Sequence, residues 1–170
     1  MVLVIMGVVG SGKTTVGTLL AEKLGWQFAD ADDFHPDGNI RKISQGMPLT
    51  DADRAPWLAA MRGAIEQWHK KRTSVVLACS ALKHSYREEL RAGDVHFIYL
   101  KGDAQLIGRR LNARRGHFAT DSILESQFAD LEEPRDALAV TIAQTPEAIA
   151  TEIIDKLKLA AVSYPDAAQE

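Results

Sequence analysis

The sequence of 170 residues has little cysteine, no long apolar run and no excess of positive charge. Its single cysteine, Cys79, excludes an intrachain disulfide framework and is typical of a reducing compartment, so we expect a cytoplasmic protein. No stretch reaches the roughly 18 apolar residues that a membrane-spanning helix needs. The apolar segment 2–6 lacks a preceding basic region and predicts a buried strand rather than a signal peptide. We therefore expect no membrane partner.

The charge balance bears on the possible partners. Twenty basic and 23 acidic residues give a formal net charge of −3. A surface built to neutralise a nucleic-acid backbone needs a basic excess, so we expect no nucleic-acid partner. A local basic cleft remains compatible with this composition.

Internal repeats, low-complexity segments and linkers rich in proline and serine are also missing. A chain of this length, 46% hydrophobic, can bury one sizeable core and is too short for two comfortable ones. We predict a single domain over residues 1–162 and a frayed tail over residues 163–170.

Apolar periodicity predicts strands that alternate with helices. The predicted strands are residues 2–6, 26–29, 74–79, 95–100 and 139–143. Helices are predicted from Thr14 to Gly25, after a capping box that begins at Thr50, and after Thr145. This order predicts an α/β fold with a five-stranded parallel sheet covered by helices on both faces. Ligands of such sheets bind beyond the carboxyl ends of the strands.

A glycine-rich segment follows the first predicted strand and opens the first predicted helix. Residues 7–14, GVVGSGKT, match G-x-x-x-x-G-K-[ST]. Glycines let successive backbone N–H groups face phosphate oxygens, and the helix N-terminus adds positive potential. We expect Lys13 to reach the β- and γ-phosphates of ATP and Thr14 to hold magnesium, Mg²⁺. The predicted nucleotide contacts here are Gly7, Gly10, Ser11, Gly12, Lys13, Thr14 and Thr15.

Acidic residues end the second predicted strand. A spacing of two directs Asp30 and Asp32 to the same side of the strand. Phosphoryl transfer to an alcohol benefits from a carboxylate that accepts the hydroxyl proton and aligns the oxygen, so Asp32 is the predicted catalytic base. Asp30 is a candidate magnesium ligand through water, and Asp33 is a candidate contact for substrate hydroxyls. An ordinary acidic loop with helix-capping roles is the alternative.

A phosphate loop alone also fits a regulatory GTPase. The sequences N-K-x-D and D-x-x-G, usual in that class, do not occur here. The acids of the second strand favour a small-molecule kinase, and a nucleotide-dependent switch or binding protein is the alternative from another class.

An extended set of residues resembles the gluconate kinase (gluconokinase) family of small P-loop kinases, related to shikimate and nucleoside-monophosphate kinases. The strings DDFHP at residues 32–36 and GHF at residues 116–118 are specific to that family, whereas many ATPases share the phosphate loop. The other matching positions are Asn39, Lys42, 44–49, Asp51, Asp53, Arg54, 56–58, 79–83, Tyr86, Arg87, Arg110, Arg114, 126–128 and 131–134. Together they span most of residues 1–134.

The resemblance implies a three-layer P-loop kinase fold and a homodimer that converts D-gluconate and ATP into 6-phospho-D-gluconate and ADP. Gluconate combines a carboxylate with a ladder of hydroxyls, so its site needs a guanidinium and several polar contacts. Arg54 and Arg87 are candidates for the carboxylate. The remaining candidate substrate contacts are His35, Lys42, Ser80 and His117, within a substrate-binding region at about residues 33–60 and beyond it.

Each of these assignments has an alternative. The acceptor could be another sugar acid or polyol. Arg54 could be a solvated side chain, and Arg87 could pair with a neighbouring glutamate at the surface. His35 could stabilise the turn that follows it, and Ser80 could cap the next helix.

Two arginines precede the GHF string. Arg110 and Arg114 lie four residues apart on one predicted helical face, in a segment that resembles a lid at about residues 112–130. A cationic lid over the triphosphate would exclude water and stabilise charge on the transferring phosphoryl group. Both arginines are predicted to contact the nucleotide, and Arg114 is predicted to act in catalysis. A basic surface helix is the alternative.

Overall fold

The sheet contains five parallel strands. In the computed structural model, which describes residues 1–113 and 120–161, the strands are β1 (Val2–Met6), β2 (Gln27–Asp30), β3 (Val75–Ala78), β4 (Val95–Lys101) and β5 (Leu138–Thr141). Their order is β2-β3-β1-β4-β5. Val2 is level with Val75 on one side and Val95 on the other, so the central strands end at one edge. The predicted α/β fold with a five-stranded parallel sheet is confirmed.

Helices connect the strands. They are α1 (Lys13–Leu24), α2 (Asp37–Ser44), α3 (Asp51–Lys70), α4 (His84–Leu90), α5 (Ala104–Ala113), α6 (Thr120–Asp130) and α7 (Pro146–Leu157). The residues predicted to begin or end the helices do so in the structure. Helix α1 ends at Gly25, which has a φ of 65°. Thr50 and Asp53 form the reciprocal capping box of α3. The Thr145 side chain accepts from the Ala148 N–H at the start of α7.

Two apolar layers cover the sheet. Helices α1, α5, α6 and α7 pack on one face through residues such as Leu20, Ile107, Leu124 and Ile153. Helices α3 and α4 pack on the other face, where Met61, Ile65 and Leu90 are buried. Strand β1 is buried on both faces, as a central parallel strand must be, which explains its continuous apolar run. The phosphate loop therefore follows a strand that is buried on both faces.

The predicted element bounds differ from the observed ones by one or two residues. Strand β2 begins at Gln27 and not at residue 26, and β5 spans Leu138–Thr141 and not 139–143. A short 3-10 turn, Ala31–Phe34, and helix α2 were not predicted, because both are too short and polar to show apolar periodicity. No helix of the described residues is both long and apolar enough to cross a bilayer. The predicted tail lies outside the described residues.

Candidate active site

The phosphate loop lies between β1 and α1 in the strained shape that its glycines permit. Gly10 has a φ of 76°, and a Cβ there would come within 2.7 Å of Leu111 on α5. A Cβ on Gly7 would come within 2.8 Å of the Ser11 hydroxyl, which is buried beneath the loop. Only glycine fits both positions, because the backbone is left-handed there and the space is already filled.

Lys13 folds back over this loop. Its Nζ donates to the Val8 carbonyl at 3.0 Å. Burial lowers the pKa of the Lys13 amine, and the negative charges of Asp32 and Asp30 act in the opposite direction. The lysine and the two acids predicted for the site therefore lie within electrostatic range of one another.

Thr14 and Asp30 form the candidate magnesium site. The Thr14 hydroxyl donates to Asp30 Oδ2 at 3.1 Å, and Asp30 Oδ1 accepts from the Asp32 N–H at 3.1 Å. Both groups are hard oxygen donors, and Mg²⁺ in phosphoryl-transfer sites takes one or two protein oxygens together with waters and phosphates. No group of three or more His, Cys, Asp or Glu side chains in residues 1–113 and 120–161 is arranged to hold a metal ion. The pair fits Mg²⁺ bound in that way.

Asp32 lies in the 3-10 turn beyond β2. Partial burial raises the pKa of its carboxyl group, the charge of Asp30 raises it further, and His35 and Lys13 oppose the rise. A raised pKa strengthens a carboxylate as a proton acceptor. Asp33, next in the same turn, is exposed. The structure thus gathers Lys13, Thr14, Asp30 and Asp32 as the sequence predicts.

His35 is held in a fixed orientation. Its ring stacks on Trp57 with 4.7 Å between ring centroids, and the Trp57 indole N–H donates to the Ala31 carbonyl at 2.7 Å. Buried Asn39 donates from Nδ2 to the Asp53 carbonyl at 2.8 Å, and the same Nδ2 lies 3.3 Å from His35 Nδ1. The Asp53 carbonyl can accept only from the NH₂ group of Asn39, so the atom facing His35 is a donor. Nδ1 of His35 therefore accepts a hydrogen bond, and the proton of the neutral ring is on Nε2. Burial lowers the pKa of His35, which agrees with a neutral ring.

Arg54 belongs to a cluster of polar side chains and is not simply solvated. Its Nη1 donates to the Tyr86 hydroxyl at 3.1 Å and lies 3.5 Å from Asp51. Lys83 donates to the Asp51 carboxylate at 2.9 Å, and the Tyr86 hydroxyl also contacts that carboxylate. Arg54 acts to lower the pKa of His35, so the cluster lies within electrostatic range of that ring.

Lys42 and Ser80 each take part in a hydrogen bond that defines their position. Lys42 donates to Asp53 Oδ1 at 2.6 Å, and this ion pair helps lower the pKa of Asp53 to about 2. Ser80 lies beyond the carboxyl end of β3, where its carbonyl accepts from the Gly7 N–H at 3.3 Å. The alternative role of Ser80 as a helix cap is wrong, because the N-cap residue of α4 is Lys83.

Arg87 takes neither of the two roles that the sequence suggested, which were a contact for the substrate carboxylate and a surface ion pair with a glutamate. Its side chain is buried, with 2% of the residue exposed, and its guanidinium donates to the carbonyls of Ala81, Leu82 and Glu132 at 2.8 to 3.0 Å. It therefore neither faces the site as a carboxylate contact nor pairs with a glutamate at the surface. Its hydrogen bonds instead fix the β3–α4 connection, in which Ala81 has a φ of 43°.

Arg110 lies at the far edge of the sheet. Its Nη2 donates to the Ile142 carbonyl at 2.6 Å, just beyond β5. Arg110 therefore contacts the segment that follows β5. Arg114 and His117 lie outside the described residues, as do residues 114–119 of the predicted lid. Thr15 is exposed in the first turn of α1.

Sequence reasoning missed the roles of several polar residues. Asn39, Trp57, Asp51, Lys83 and Tyr86 matched the resembling family but received no role. The first two contact His35, Asp51 and Tyr86 contact Arg54, and Lys83 contacts Asp51. The contacts of Lys83 and Tyr86 could not be predicted from residue type, because they depend on the packing of α3 against α4.

Comparison with known proteins places this site in a family. Residues 9–158 match the family described as Shikimate kinase. A gluconokinase from Gluconobacter oxydans is 46% identical over 157 residues, which span 89% of this chain and 88% of that protein. The chain belongs to the gluconokinase family. It is 43% identical over 161 residues to the thermoresistant gluconokinase of Escherichia coli, covering 91% of this chain and 92% of that one.

A solved gluconokinase structure supports this membership. The gluconokinase from Sinorhizobium meliloti aligns with a TM-score of 0.83 and 42% identity, covering 92% of this chain and 90% of that one. The predictions of a kinase, a transferase and a nucleotide-binding P-loop protein are confirmed by membership in the family. Magnesium, the homodimer and the cytoplasmic location stay predictions.

Proposed function

We propose that this chain transfers the γ-phosphoryl group of ATP to the 6-hydroxyl of D-gluconate, giving 6-phospho-D-gluconate and ADP. The observation that carries the proposal is the convergence of Lys13, Asp30 and Asp32 beside a phosphate loop, in a chain 46% identical to a gluconokinase. Kinase chemistry needs a triphosphate cradle and a carboxylate in the same cleft, and these residues supply both.

The phosphate end of the site acts by charge and position. The amides at the start of α1 and the Lys13 amine are proposed to bind the triphosphate, while Thr14, and Asp30 through water, would hold Mg²⁺. When bound, the metal supplies positive charge at the β- and γ-phosphates. Lys13 would leave the Val8 carbonyl, to which its Nζ now donates, and bring its charge to the phosphates. Arg110 and Arg114 are proposed to contact the nucleotide from α5 and the segment after it.

The acceptor end is proposed to lie between Asp32 and Arg54. Asp32 would accept the hydroxyl proton and aim the oxygen at phosphorus, and Asp33 and Ser80 would contact other hydroxyls. The neutral His35 offers an Nε2 proton to a substrate oxygen. Arg54 would recognise the carboxylate, with Lys42 and His117 as further polar contacts. A homodimer in the cytoplasm, and a lid at about residues 112–130 that is anchored by Leu124 and Phe128 of α6, are parts of the same proposal.

The test is a coupled ADP-release assay with ATP and a panel of acceptors. The panel contains D-gluconate, other sugar acids, polyols, shikimate and nucleoside monophosphates, each at matched concentration with a no-acceptor control. We expect turnover with D-gluconate well above every other acceptor, and a ³¹P spectrum of the product that shows a primary phosphate ester. Absence of gluconate-dependent ADP release would sink the proposal, and a stronger response to another polyol would reassign the acceptor.

A further inference from the structure

One hydrogen bond joins the phosphate loop to helix α6. The backbone N–H of Val9 donates to Oε1 of Gln127 at 2.6 Å, across 118 residues of sequence. The donor identifies the acceptor atom, because an N–H can face only the oxygen of the glutamine amide. Val9 stands at a variable position of the loop motif, so its side chain gives no hint of this contact.

The approach of Gln127 is fixed by packing. Leu124, three residues earlier on α6, is 6% exposed and belongs to the same apolar layer as Val8 and Leu111. Phe128, the next residue, packs against that layer as well. Gln127 itself is half-buried. Its amide is therefore presented by an anchored helix and not by a freely rotating surface side chain.

The amides of the loop divide into two groups. Those of Gly7, Val9 and Ser11 donate to Ser80 O, Gln127 Oε1 and Val8 O respectively. Within residues 1–113 and 120–161, the amides of Val8, Gly10, Gly12, Lys13 and Thr14 have no protein acceptor. The first group holds the shape of the loop, and the second group is left to face phosphate oxygens. Gln127 supplies the side-chain acceptor of the first group.

We propose that Gln127 is a positioning residue that holds the Val9 amide and so keeps the first half of the phosphate loop in its phosphate-binding shape. The inference rests on the nucleotide-binding half of the proposed function and not on the acceptor. A loop already in its bound shape loses less conformational freedom when the ligand arrives. The typical net strength of a neutral hydrogen bond corresponds to a change of about 2- to 13-fold in affinity.

The first experiment compares the full-length chain with Gln127→Met, which keeps length and helix propensity but removes the acceptor. The dissociation constants of ADP and ATP are measured by calorimetry, and steady-state kinetics give KM and kcat. We expect both nucleotides to bind about 2- to 13-fold more weakly, KM for ATP to rise by a similar factor, and KM for gluconate to stay constant. Unchanged nucleotide affinity would overturn the proposal. Tighter binding would also overturn it, because Gln127 would then compete with phosphate.

A second readout does not depend on activity. Amide hydrogen exchange at Val9 should be slow in the unmodified chain and in Gln127→Glu, which keeps an acceptor at the same reach, and fast in Gln127→Met. Equal protection in the Met and unmodified chains would refute the contact. The control Gln67→Met, on the exposed side of α3, should change neither exchange nor affinity. Failure of the unmodified chain to bind ADP would contradict the proposed function instead.

Discussion

Replacing Arg87 tests whether this arginine supports the fold or binds the substrate. Its guanidinium lies between α4 and the segment after α6, where three backbone carbonyls accept its hydrogen bonds. Arg87→Met keeps an unbranched apolar stem, shortens the side chain and removes every donor. The structure predicts loss of stability with little direct effect on gluconate recognition.

The magnitude follows from the carbonyls that lose their donor. The Leu82 carbonyl keeps a second donor, the Glu132 N–H at 3.0 Å, so two carbonyls, of Ala81 and Glu132, are left without one. Each unsatisfied buried group costs about 1–3 kcal/mol. We expect the free energy of unfolding to fall by about 2–6 kcal/mol, a large share of the 5–15 kcal/mol typical of a domain. The left-handed backbone of Ala81 would also lose a hydrogen bond that holds it.

Urea unfolding followed by circular dichroism measures this change. With a denaturant dependence of about 2 kcal/mol per molar, the urea concentration at the unfolding midpoint should fall by about 1–3 M. The matched control is Arg91→Met, one turn further along, whose partly exposed side chain pairs with Glu88 and Asp136 at the surface. Such pairs contribute about 1 kcal/mol or less. An unchanged midpoint for Arg87→Met together with a tenfold higher gluconate KM would refute this reasoning and restore Arg87 as a carboxylate contact.

Further substitutions test the chemistry and the pH dependence. Lys13→Ala should lower kcat by about 10²–10³-fold in a folded protein, because a charge at the transferring phosphate is lost, and a near-normal rate would refute that role. Asp32→Asn should lower kcat by about 10²–10⁴-fold with a smaller change in ATP affinity, whereas a change in gluconate KM alone would make Asp32 a binding group. Since the pKa of Asp32 is raised above 3.8, kcat/KM should fall as the pH drops through that raised value, and a limb at or below 3.8 would contradict the shift. The pKa of Asp53 is lowered from 3.8 to about 2, so its stabilisation is complete above the unfolded value and disappears as the pH falls towards 2. Asp53→Asn should therefore destabilise the protein at pH 6 and not at pH 2, by urea unfolding, and an equal loss at both would count against the ion pair with Lys42.

The fold could be predicted because its signals are local. Strand β1 is a continuous apolar run, Gly25 ends α1, and Thr50 with Asp53 begins α3. Each of these boundaries is determined by a few neighbouring residues. Helix α2 was not predicted because it has only eight residues, of which Ile40 and Ile43 are the large apolar ones, too few for a periodic pattern. The phosphate loop was predictable because its glycines, Lys13 and Thr14 form a motif within eight consecutive residues.

The remainder of the site depends on contacts between distant residues. In the sequence, Arg87 resembles any charged residue of a helix. Its burial becomes visible only in the fold, where the backbone at Glu132 packs against it and accepts one of its hydrogen bonds. The contact between Val9 and Gln127 spans 118 residues, and neither residue type suggests it. A pattern of residue types states which chemistry is available, whereas the donors and acceptors that are already satisfied become visible only in the fold.

The proton transfer proposed for Asp32 would depend on the charge state of its neighbour His35, because the two groups interact electrostatically. A protonated imidazole would lower the pKa of Asp32 and weaken it as a base, and the structure works against protonation in two ways. Asn39, oriented by the Asp53 carbonyl, donates to Nδ1 and so requires that nitrogen to be unprotonated. Burial and the positive charge of Arg54 lower the pKa of the ring as well. A neutral His35 can donate from Nε2 to a substrate oxygen while Asp32 keeps its raised pKa, which assigns Asn39 an indirect part in setting the strength of the base.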